Sequence, residues 1–126
     1  MSMDLTNWRQ KKLTALMGEV TESGLVSFAA IEASVEWSLA GSILVAQLRN
    51  AINHQEKFWL IGGENIATDM APFNVAGSPR EAARYFSLRW QIGVDQLMVL
   101  DRHFKAGELR TMAERLYTLV ETEGIW

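Results

Sequence analysis

Apolar residues recur along the first segment of the chain at the spacing of one helix face. Between Leu5 and about Glu22 they are Leu5, Trp8, Leu13, Leu16, Met17 and Val20, while charged and amide side chains lie toward the other side. This period predicts an amphipathic helix. Asp4 is the expected N-cap of that helix, and Gly24 is its expected end.

The pattern between residues 25 and 53 fits two structures. The stretch SILVAQLRNA begins with β-branched and aliphatic residues and then alternates apolar with polar ones, which favours a strand. The same region also fits a helical stripe made of Trp37, Ala40, Leu44, Leu48 and Ile52. KFWLIGG is strongly β-prone, and the polar NHQE before it has the length of a hairpin loop. We therefore expect an antiparallel hairpin over residues 43–51 and 57–63.

The stretch SPREAARYFSLRWQ carries the clearest helix start in the chain. Ser78, Pro79 and Glu81 have the spacing of a capping box with proline at the first helical position. The apolar face that follows is wide enough to predict a mostly buried helix, and it consists of Ala82, Tyr85, Phe86, Leu88, Trp90, Ile92, Leu97 and Val99. The predicted polar stripe opposite consists of Arg80, Arg84, Ser87, Gln91 and Asp95.

A last helix is predicted from about Gly107 to Glu123. Its inward residues are Leu109, Met112, Ala113, Leu116 and Val120, and Gly124 suits the left-handed position after a helix end. The elements together predict an α+β fold in a single domain over residues 1–126: an N-terminal helix, a small antiparallel sheet, and two C-terminal helices packed on one face. The alternative is an all-α bundle with a helix through residues 26–53.

Composition narrows the classes of function. The 126 residues include 48% apolar and 21% charged residues, as expected of a folded domain. The absence of cysteine excludes disulfides and thiolate chemistry, and the net charge of −3 gives no overall attraction to nucleic acid. We expect a cytoplasmic protein with no cofactor, no nucleic-acid partner and no membrane partner.

Basic residues gather in the second half of the chain. They are Arg80, Arg84, Arg89, Arg102, Lys105, Arg110 and Arg115, whereas Glu19, Glu22, Glu32 and Glu36 lie in a first-half region without Lys or Arg between Leu13 and Leu48. Two interpretations remain open. In the first, the acidic half of the molecule covers the basic half, or both faces are simply solvated; in the second, the basic residues line a groove for an acidic partner.

The stretch LRNAINHQ contains an arginine and a histidine at the spacing used by HEPN-like ribonucleases. In such an enzyme His54 would act as acid or base and Arg49 would stabilise phosphate charge, both from one helix edge. In the predicted hairpin, Arg49 instead ends a strand, and His54 lies in the loop, facing solvent without a partner. We favour the hairpin and expect no catalytic residues.

Two further patterns have ordinary structural explanations. Glu32 and Glu36 are four positions apart, but carboxylate metal sites also need Glu-x-x-His elements, which the sequence lacks. The Gly62-Gly63 pair follows a strand without the helix, Lys and Ser/Thr of a phosphate-binding loop. We expect it to mark a strand end that needs positive φ.

Two sets of residues are candidates for binding. Thr68 and Asp69 form a short polar pair that either lines a pocket, together with Trp59 and Gln91, or caps a turn. Trp37 and Trp126 are the tryptophans least expected in the core, and exposed aromatic residues are enriched at interfaces. Packing of both tryptophans within the chain's own core remains the first expectation.

From Lys57 onward the sequence resembles an uncharacterised family of small bacterial proteins, the domain-of-unknown-function family numbered 4826. The resemblance covers residues 57–126 and rests on Trp59, Gly62, Thr68, Asp69, Phe86, Trp90, Gln91, Tyr117 and Trp126. One departure is the turn: the family has Gly-Asp followed by proline, and this chain has Gly63-Glu64-Asn65-Ile66. The resemblance implies a β-hairpin followed by two helices, and it implies no activity.

For function, we expect a small non-enzymatic protein-interaction module that associates with itself, as a homodimer, or with another protein. A small sheet leaves an exposed edge, and pairing or covering that edge stabilises it. The alternatives are a HEPN-like ribonuclease that uses Arg49 and His54, and a small-ligand-binding domain with a pocket near Thr68 and Asp69.

Overall fold

The chain folds as helices packed on both faces of an antiparallel sheet. This computed structural model describes residues 2–23, 30–39, 41–99 and 103–126. In chain order the elements are α1 (Ser2–Glu22), β1 (Ile31–Leu39), β2 (Ile43–Asn50), β3 (Lys57–Gly63), β4 (Ile66–Pro72), a short 3-10 helix (Phe73–Val75), α2 (Pro79–Val99) and α3 (His103–Glu121). The predicted α+β fold is confirmed. The all-α alternative is wrong because β1 and β2 occupy the region in question.

The sheet is a four-stranded antiparallel meander in the order β1-β2-β3-β4. The predicted hairpin is confirmed, since β2 and β3 pair from Ile43 opposite Gly63 to Arg49 opposite Lys57. The sequence did not predict the other two strands. β4 is rich in residues that disfavour strands, including Asp69 and Pro72. Its conformation therefore depends on pairing with β3 rather than on local preference.

Alternate side chains of the central strands enter two different cores. Leu44, Ala46 and Leu48 of β2 belong to the cluster that packs with α1, whereas Ile43 and Val45 belong to the cluster that packs with α2 and α3. All five are buried. Burial on both faces explains why β2 begins as a continuous apolar run rather than a strict alternation.

α1 covers one face of the sheet with residues that repeat at helical spacing. Leu13, Leu16 and Val20 are buried there, as predicted. The sheet offers a glycine where the helix comes closest, because a Cβ at Gly62 would clash with the Leu16 side chain. The Leu16 side chain therefore packs directly over the backbone of β3 at Gly62.

The ends of α1 differ from the prediction. The helix already begins at Ser2, so Asp4 lies within its first turn and is not the N-cap. The helix ends at Glu22, and Gly24, the predicted stop, lies outside the described residues. The capping preference of Asp is a local signal, and it does not exclude a helix that starts earlier.

A polar contact ties α1 to the turn between β3 and β4. Lys12 Nζ lies 3.1 Å from Glu64 Oε1, and the Trp8 indole N–H donates to the same oxygen at 3.4 Å. The hydrogen bond from Lys12, then that from Trp8, and the Lys12 charge lower the pKa of the Glu64 carboxyl from its ordinary 4.5. Because the pKa falls on folding, this contact stabilises the fold above pH 4.5 and is lost as the pH drops through the lowered value.

α2 and α3 pack against each other and against the opposite face of the sheet. Six of the predicted inward residues are buried: Ala82, Phe86, Trp90, Ala113, Leu116 and Val120. Leu109 and Met112, also predicted to face inward, are half-buried against the same core. α3 begins at His103 rather than near Gly107, and it ends at Glu121. Gly124 then takes the predicted positive φ, at 84°.

The apolar face predicted for α2 is too wide. Leu88 and Ile92 are 48% and 60% exposed, so they lie on the solvent side of the helix. Ser87, predicted on the polar stripe, is fully buried, and its hydroxyl donates to the Arg84 carbonyl at 2.8 Å. Apolar residues point in most directions around α2, and periodicity alone does not identify the side that meets the sheet.

The start of α2 has the predicted cap, except that the Glu81 carboxylate binds a different backbone N–H from the one expected. The helix begins at Pro79, and the Glu81 N–H donates to the Ser78 hydroxyl oxygen at 3.2 Å. The Glu81 carboxylate accepts from the Gly77 N–H at 2.8 Å, one residue before the position expected of a capping box. Both contacts fix the point at which the chain turns from the sheet into α2.

Candidate functional site

The arginine and histidine of LRNAINHQ lie where the hairpin prediction puts them. Arg49 is near the end of β2, and His54 is in the turn that follows. The Arg49 Nε and Nη2 atoms both lie 2.7 Å from Glu32 Oε2. His54 Nε2 is 3.6 Å from the same oxygen, which is beyond hydrogen-bond distance, and the His54 side chain is 54% exposed in the turn. The solvent-facing position agrees with the prediction, but the nearby Glu32 carboxylate was not predicted. The strand register sets Glu32 of β1 directly opposite Arg49.

This arrangement does not supply the geometry of the ribonuclease alternative. Arg49 and His54 are not on a helix edge, and the Arg49 guanidinium already binds a carboxylate where a phosphate would have to bind. The turn itself is held by side-chain amides. Asn50 Oδ1 accepts from the Ile52 N–H at 2.9 Å, and Asn53 Oδ1 accepts from the Gln55 N–H at 3.2 Å. The polar residues here stabilise the turn.

Thr68 and Asp69, proposed to line one pocket, point to opposite faces of β4. Thr68 lies in a shallow depression beside Glu19 of α1. Asp69 faces α2, where its Oδ2 accepts from the Trp90 indole N–H at 3.0 Å. Its Oδ1 accepts from the Met70 N–H at 2.8 Å. The Asp69 carboxylate therefore joins the β4 edge to α2.

Trp59 and Gln91, the other two residues proposed for that pocket, also lie apart. Trp59 is buried, and its indole N–H is shared between the Phe73 carbonyl at 3.0 Å and the Ala76 carbonyl at 3.2 Å. Gln91 is exposed and lines a groove with Arg110 of α3. The structure thus does not bring the four proposed residues together.

The two tryptophans proposed for an interface stack on each other. The ring centroids of Trp37 and Trp126 are 3.8 Å apart, with planes 18° from parallel. Trp37 Nε1 donates to the Ile125 carbonyl at 2.7 Å, and Trp126 Nε1 donates to the Leu119 carbonyl at 2.8 Å. Both rings are partly buried against the α2 and α3 core. This packing within the chain agrees with the first expectation for the pair.

A β-bulge explains how Trp37 reaches that core. Val35 pairs with Ala46 on the α1 face, but Trp37 pairs with Val45 on the opposite face, so Glu36 is an extra residue in the ladder. In a regular strand without the bulge, residues two apart share a face, so Trp37 would lie beside Val35 on the α1 face. A two-residue period in the sequence does not reveal a bulge, which is why this position of Trp37 could not be predicted.

The Gly62-Gly63 pair has a different role from the one predicted. Both residues lie in β3, and positive φ near this turn is found at Asn65, at 56°. A Cβ at Gly63 would overlap the Ser42 carbonyl oxygen and come within 2.8 Å of the Ile43 Cα. The glycines are therefore needed for close approach of neighbouring elements, and the prediction of positive φ is wrong.

Among the described arginines of the second half, Arg89 and Arg110 line separate depressions. Three of them donate to groups on neighbouring elements: Arg80 to the Val120 carbonyl (2.8 Å), Arg89 to the Met70 carbonyl (2.9 Å) and Arg115 to the Ser42 hydroxyl (2.9 Å). Arg102 lies outside the described residues. These three side chains connect the helices to each other and to the sheet.

A partly exposed apolar stripe on α2 is a surface feature that the sequence did not predict. Leu88 and Ile92 are exposed there, and Tyr85 is half-buried against the core. We call Tyr85, Leu88 and Ile92 the α2 stripe, since their spacing places them on one side of the helix. A shallow depression runs along this side and is lined by Tyr85, Leu88, Arg89, Ile92, Gly93 and Gln96. Scattered exposed apolar residues are normal, but contiguous ones mark interaction surfaces. The spacing was visible in the sequence, but Tyr85, Leu88 and Ile92 were all assigned to the buried face of the helix.

The part of the chain that the structure describes has neither a cluster of metal-ligand side chains nor a helix suited to cross a membrane. Residues 2–23, 30–39, 41–99 and 103–126 contain no group of three or more His, Asp or Glu side chains arranged to hold a metal ion. Over the same ranges no helix has both the length and the apolar character required to cross a membrane.

Comparison with known proteins gives one match. The model of a family described as "Domain of unknown function (DUF4826)" matches residues 4–126. The match extends through the first half of the chain, beyond the residues 57–126 that carry the resemblance in the sequence analysis. No curated protein and no solved structure matches the chain.

Proposed function

Because this family model spans nearly the whole chain, the protein belongs to the DUF4826 family, and we propose that it is a small non-enzymatic protein-interaction module that self-associates. The observation that carries the proposal is the α2 stripe. Two aliphatic side chains, Leu88 and Ile92, are about half exposed or more on a helix whose opposite side is buried. Covering such side chains with protein is favourable by about 25 cal/mol for each Å² removed from water.

The partners of the polar candidate residues support a non-enzymatic role. Arg49 is bound to Glu32, and the Asp69 carboxylate accepts hydrogen bonds from Trp90 and from the backbone. Catalytic groups need room for a substrate within hydrogen-bond reach of the reacting atoms. Internal bonds of this kind instead favour structural roles for these side chains.

The two sheet edges favour α2 over edge pairing as the contact surface. The edge strand β4 ends in Pro72, and the Arg89 side chain donates to its Met70 carbonyl. The other edge strand, β1, contains a bulge and exposes Glu32 and Glu36. Proline, bulges and charges are features that discourage pairing between sheets. Self-association through the helix replaces our initial expectation that the sheet edge would pair.

Sedimentation equilibrium from micromolar to millimolar concentration tests self-association. We expect the weight-average mass to rise from the 14.2 kDa of the monomer toward twice that value. The rise should persist at physiological salt, because burial of aliphatic groups is not screened by ions. A mass that stays at the monomer value over the whole range would contradict the proposal.

Incubation with total RNA tests the enzyme alternative. We expect no cleavage by the wild-type protein, because Arg49 and His54 lie on a strand and a turn and share Glu32 as a partner. The matched variants are Arg49→Ala and His54→Ala. Cleavage by the wild type that disappears in both variants would replace the proposal with a ribonuclease.

A further inference from the structure

We propose that the outer edge of β1 binds an extended, basic segment of a partner protein, which pairs with β1 as an added strand of the sheet. The site is separate from the α2 stripe, and its occupation does not require self-association. Three features of the molecule support it: the direction of the β1 backbone groups, the contrast with the β4 edge, and the side chains along β1.

The backbone of β1 alternates between facing β2 and facing away from it. The Ala51 N–H donates to the Ala30 carbonyl at 3.0 Å, so Ala30 faces β2. The Asn50 N–H donates to the Glu56 carbonyl at 2.9 Å, so Asn50 turns away from Ile31, its partner in β1. Because antiparallel ladders alternate residue by residue, the outward N–H and C=O groups before the bulge belong to Ile31, Ala33 and Val35.

The two edges of the sheet differ in what occupies such positions. On β4 the protein's own side chains bind the backbone: Arg89 donates to the Met70 carbonyl at 2.9 Å, and the Met70 N–H donates to Asp69 Oδ1 at 2.8 Å. On β1, no side chain within residues 2–23, 30–39, 41–99 and 103–126 makes a hydrogen bond to the outward groups. A row of donors and acceptors at this spacing is complementary to an extended backbone.

One set of β1 side chains favours apolar residues in the added strand. Ile31, Ala33 and Val35 are partly buried against the cluster that packs with α1. In an antiparallel pair, the residue opposite each outward position exchanges both backbone bonds with it and lies on the same face. Apolar side chains there extend this cluster beyond β1. The bulge after Val35 interrupts the ladder and limits the paired segment to about five residues.

The other set of β1 side chains favours basic residues. Glu32, Ser34 and Glu36 are exposed. Arg49 offsets the charge of Glu32, whereas Glu36 accepts from the neutral Ser34 hydroxyl at 3.1 Å. A Lys or Arg of the partner beside Glu36 provides the opposite charge. β1 contains neither Lys nor Arg, so a second copy that pairs through the same strand does not provide it. Carboxylates that discourage pairing between two copies therefore favour a basic partner.

A labelled peptide tests the site. The probe is an end-capped, fluorescein-labelled peptide of about seven residues in which lysine and valine alternate. Its affinity for the full chain is measured by fluorescence anisotropy at physiological salt, and we expect saturable binding. A control peptide carries methyl groups on the valine nitrogens. It keeps the charge and the side chains but loses the N–H groups that pair with β1, so it should bind at least about tenfold more weakly.

Two protein variants locate the peptide on β1. Ala33→Pro removes an outward N–H that is not part of the ladder with β2, a change that edge strands tolerate, and it should weaken binding about tenfold. Ala33→Ser keeps that N–H and should bind within about twofold of wild type. Glu36→Lys should weaken binding about tenfold by repelling the lysines. Glu108→Lys makes the same charge change at an exposed position of α3 and should have no effect. Circular dichroism checks the fold of each variant.

Each contrary outcome counts against a stated part of the proposal. A wild-type protein that does not bind the lysine–valine peptide up to millimolar concentration contradicts it. Equal affinity for the methylated peptide, or equal losses in Glu36→Lys and Glu108→Lys, would show general charge attraction and would also contradict it. Unchanged affinity in a folded Ala33→Pro variant would place the peptide elsewhere on the protein. If that variant does not fold, the methylated peptide and Glu36→Lys still decide. Sedimentation of the protein alone tests self-association independently.

Discussion

α2 and α3 lie side by side on the same sheet face, but they present different surfaces to water. Their inner sides are alike, since Phe86 and Leu116 are both fully buried. On the outer side, α3 exposes mostly charged and hydroxyl residues, with Tyr117 as its large apolar exception, whereas α2 exposes Leu88 and Ile92 on one stripe. The inner side of a helix is determined by the sheet that it covers. Its outer side is free of that requirement, so the apolar residues on the outer side of α2 are the feature on which the proposed self-association rests.

Truncation of a buried side chain should destabilise the protein to a similar extent in α2 and in α3, and these variants should have the largest effects on stability. We expect Phe86→Ala to lower the free energy of unfolding by about 3–5 kcal/mol and Leu116→Ala to lower it by about 2–5 kcal/mol, because each leaves a cavity in a fully buried site. Urea unfolding at micromolar concentration measures both. A loss below about 1 kcal/mol for Leu116→Ala would mean that α3 is not part of this core.

The start of α2 should be sensitive to loss of one hydroxyl. Ser78→Ala removes the oxygen that accepts from the Glu81 N–H and should cost about 1 kcal/mol. Thr118→Ala in α3 is the matched control, because its hydroxyl donates only to the Glu114 carbonyl of its own helix, and we expect a change within about 0.5 kcal/mol. Equal unfolding midpoints for Ser78→Ala and wild type would rule out this cap as a stabilising contact.

The outer sides should show the smallest effects on stability. Leu88→Ala and Tyr117→Ala remove side chains of similar exposure, 48% and 44%. At concentrations where the protein is monomeric, each should change the free energy of unfolding by less than about 1 kcal/mol, as is usual for surface positions. A larger loss for Leu88→Ala alone would show that this side chain packs within the monomer. The stripe would then need no partner.

Features set by local spacing were predictable from the sequence. The Ser78 cap, the buried side of α1 and the hairpin follow from residues within a few positions of one another. The stretch that forms β2 fitted both a strand and a helix, and the strand β1 was not predicted, because periodicity does not include the pairing between neighbouring strands that determines the outcome. The contact between Glu32 and His54 was missed for the same reason, since it exists only when β1 lies beside β2.

The candidate surface was harder to predict than the fold. The apolar residues of α2 are evident in the sequence, but the side that is buried depends on how the helix sits on the sheet. That position is set by distant residues, such as Asp69 bonded to Trp90 and Met70 bonded to Arg89. The sequence therefore assigned Leu88 and Ile92 to the core, and only the three-dimensional arrangement identifies them as a surface.

A comparison of Leu88→Glu with Tyr117→Glu by sedimentation equilibrium tests the central claim most directly. Both variants place a carboxylate on the outer side of a helix, one on α2 and one on α3. At concentrations where wild type approaches twice 14.2 kDa, we predict that Tyr117→Glu matches wild type while Leu88→Glu remains at the monomer mass. Dimerisation of Leu88→Glu with the affinity of wild type would contradict the account.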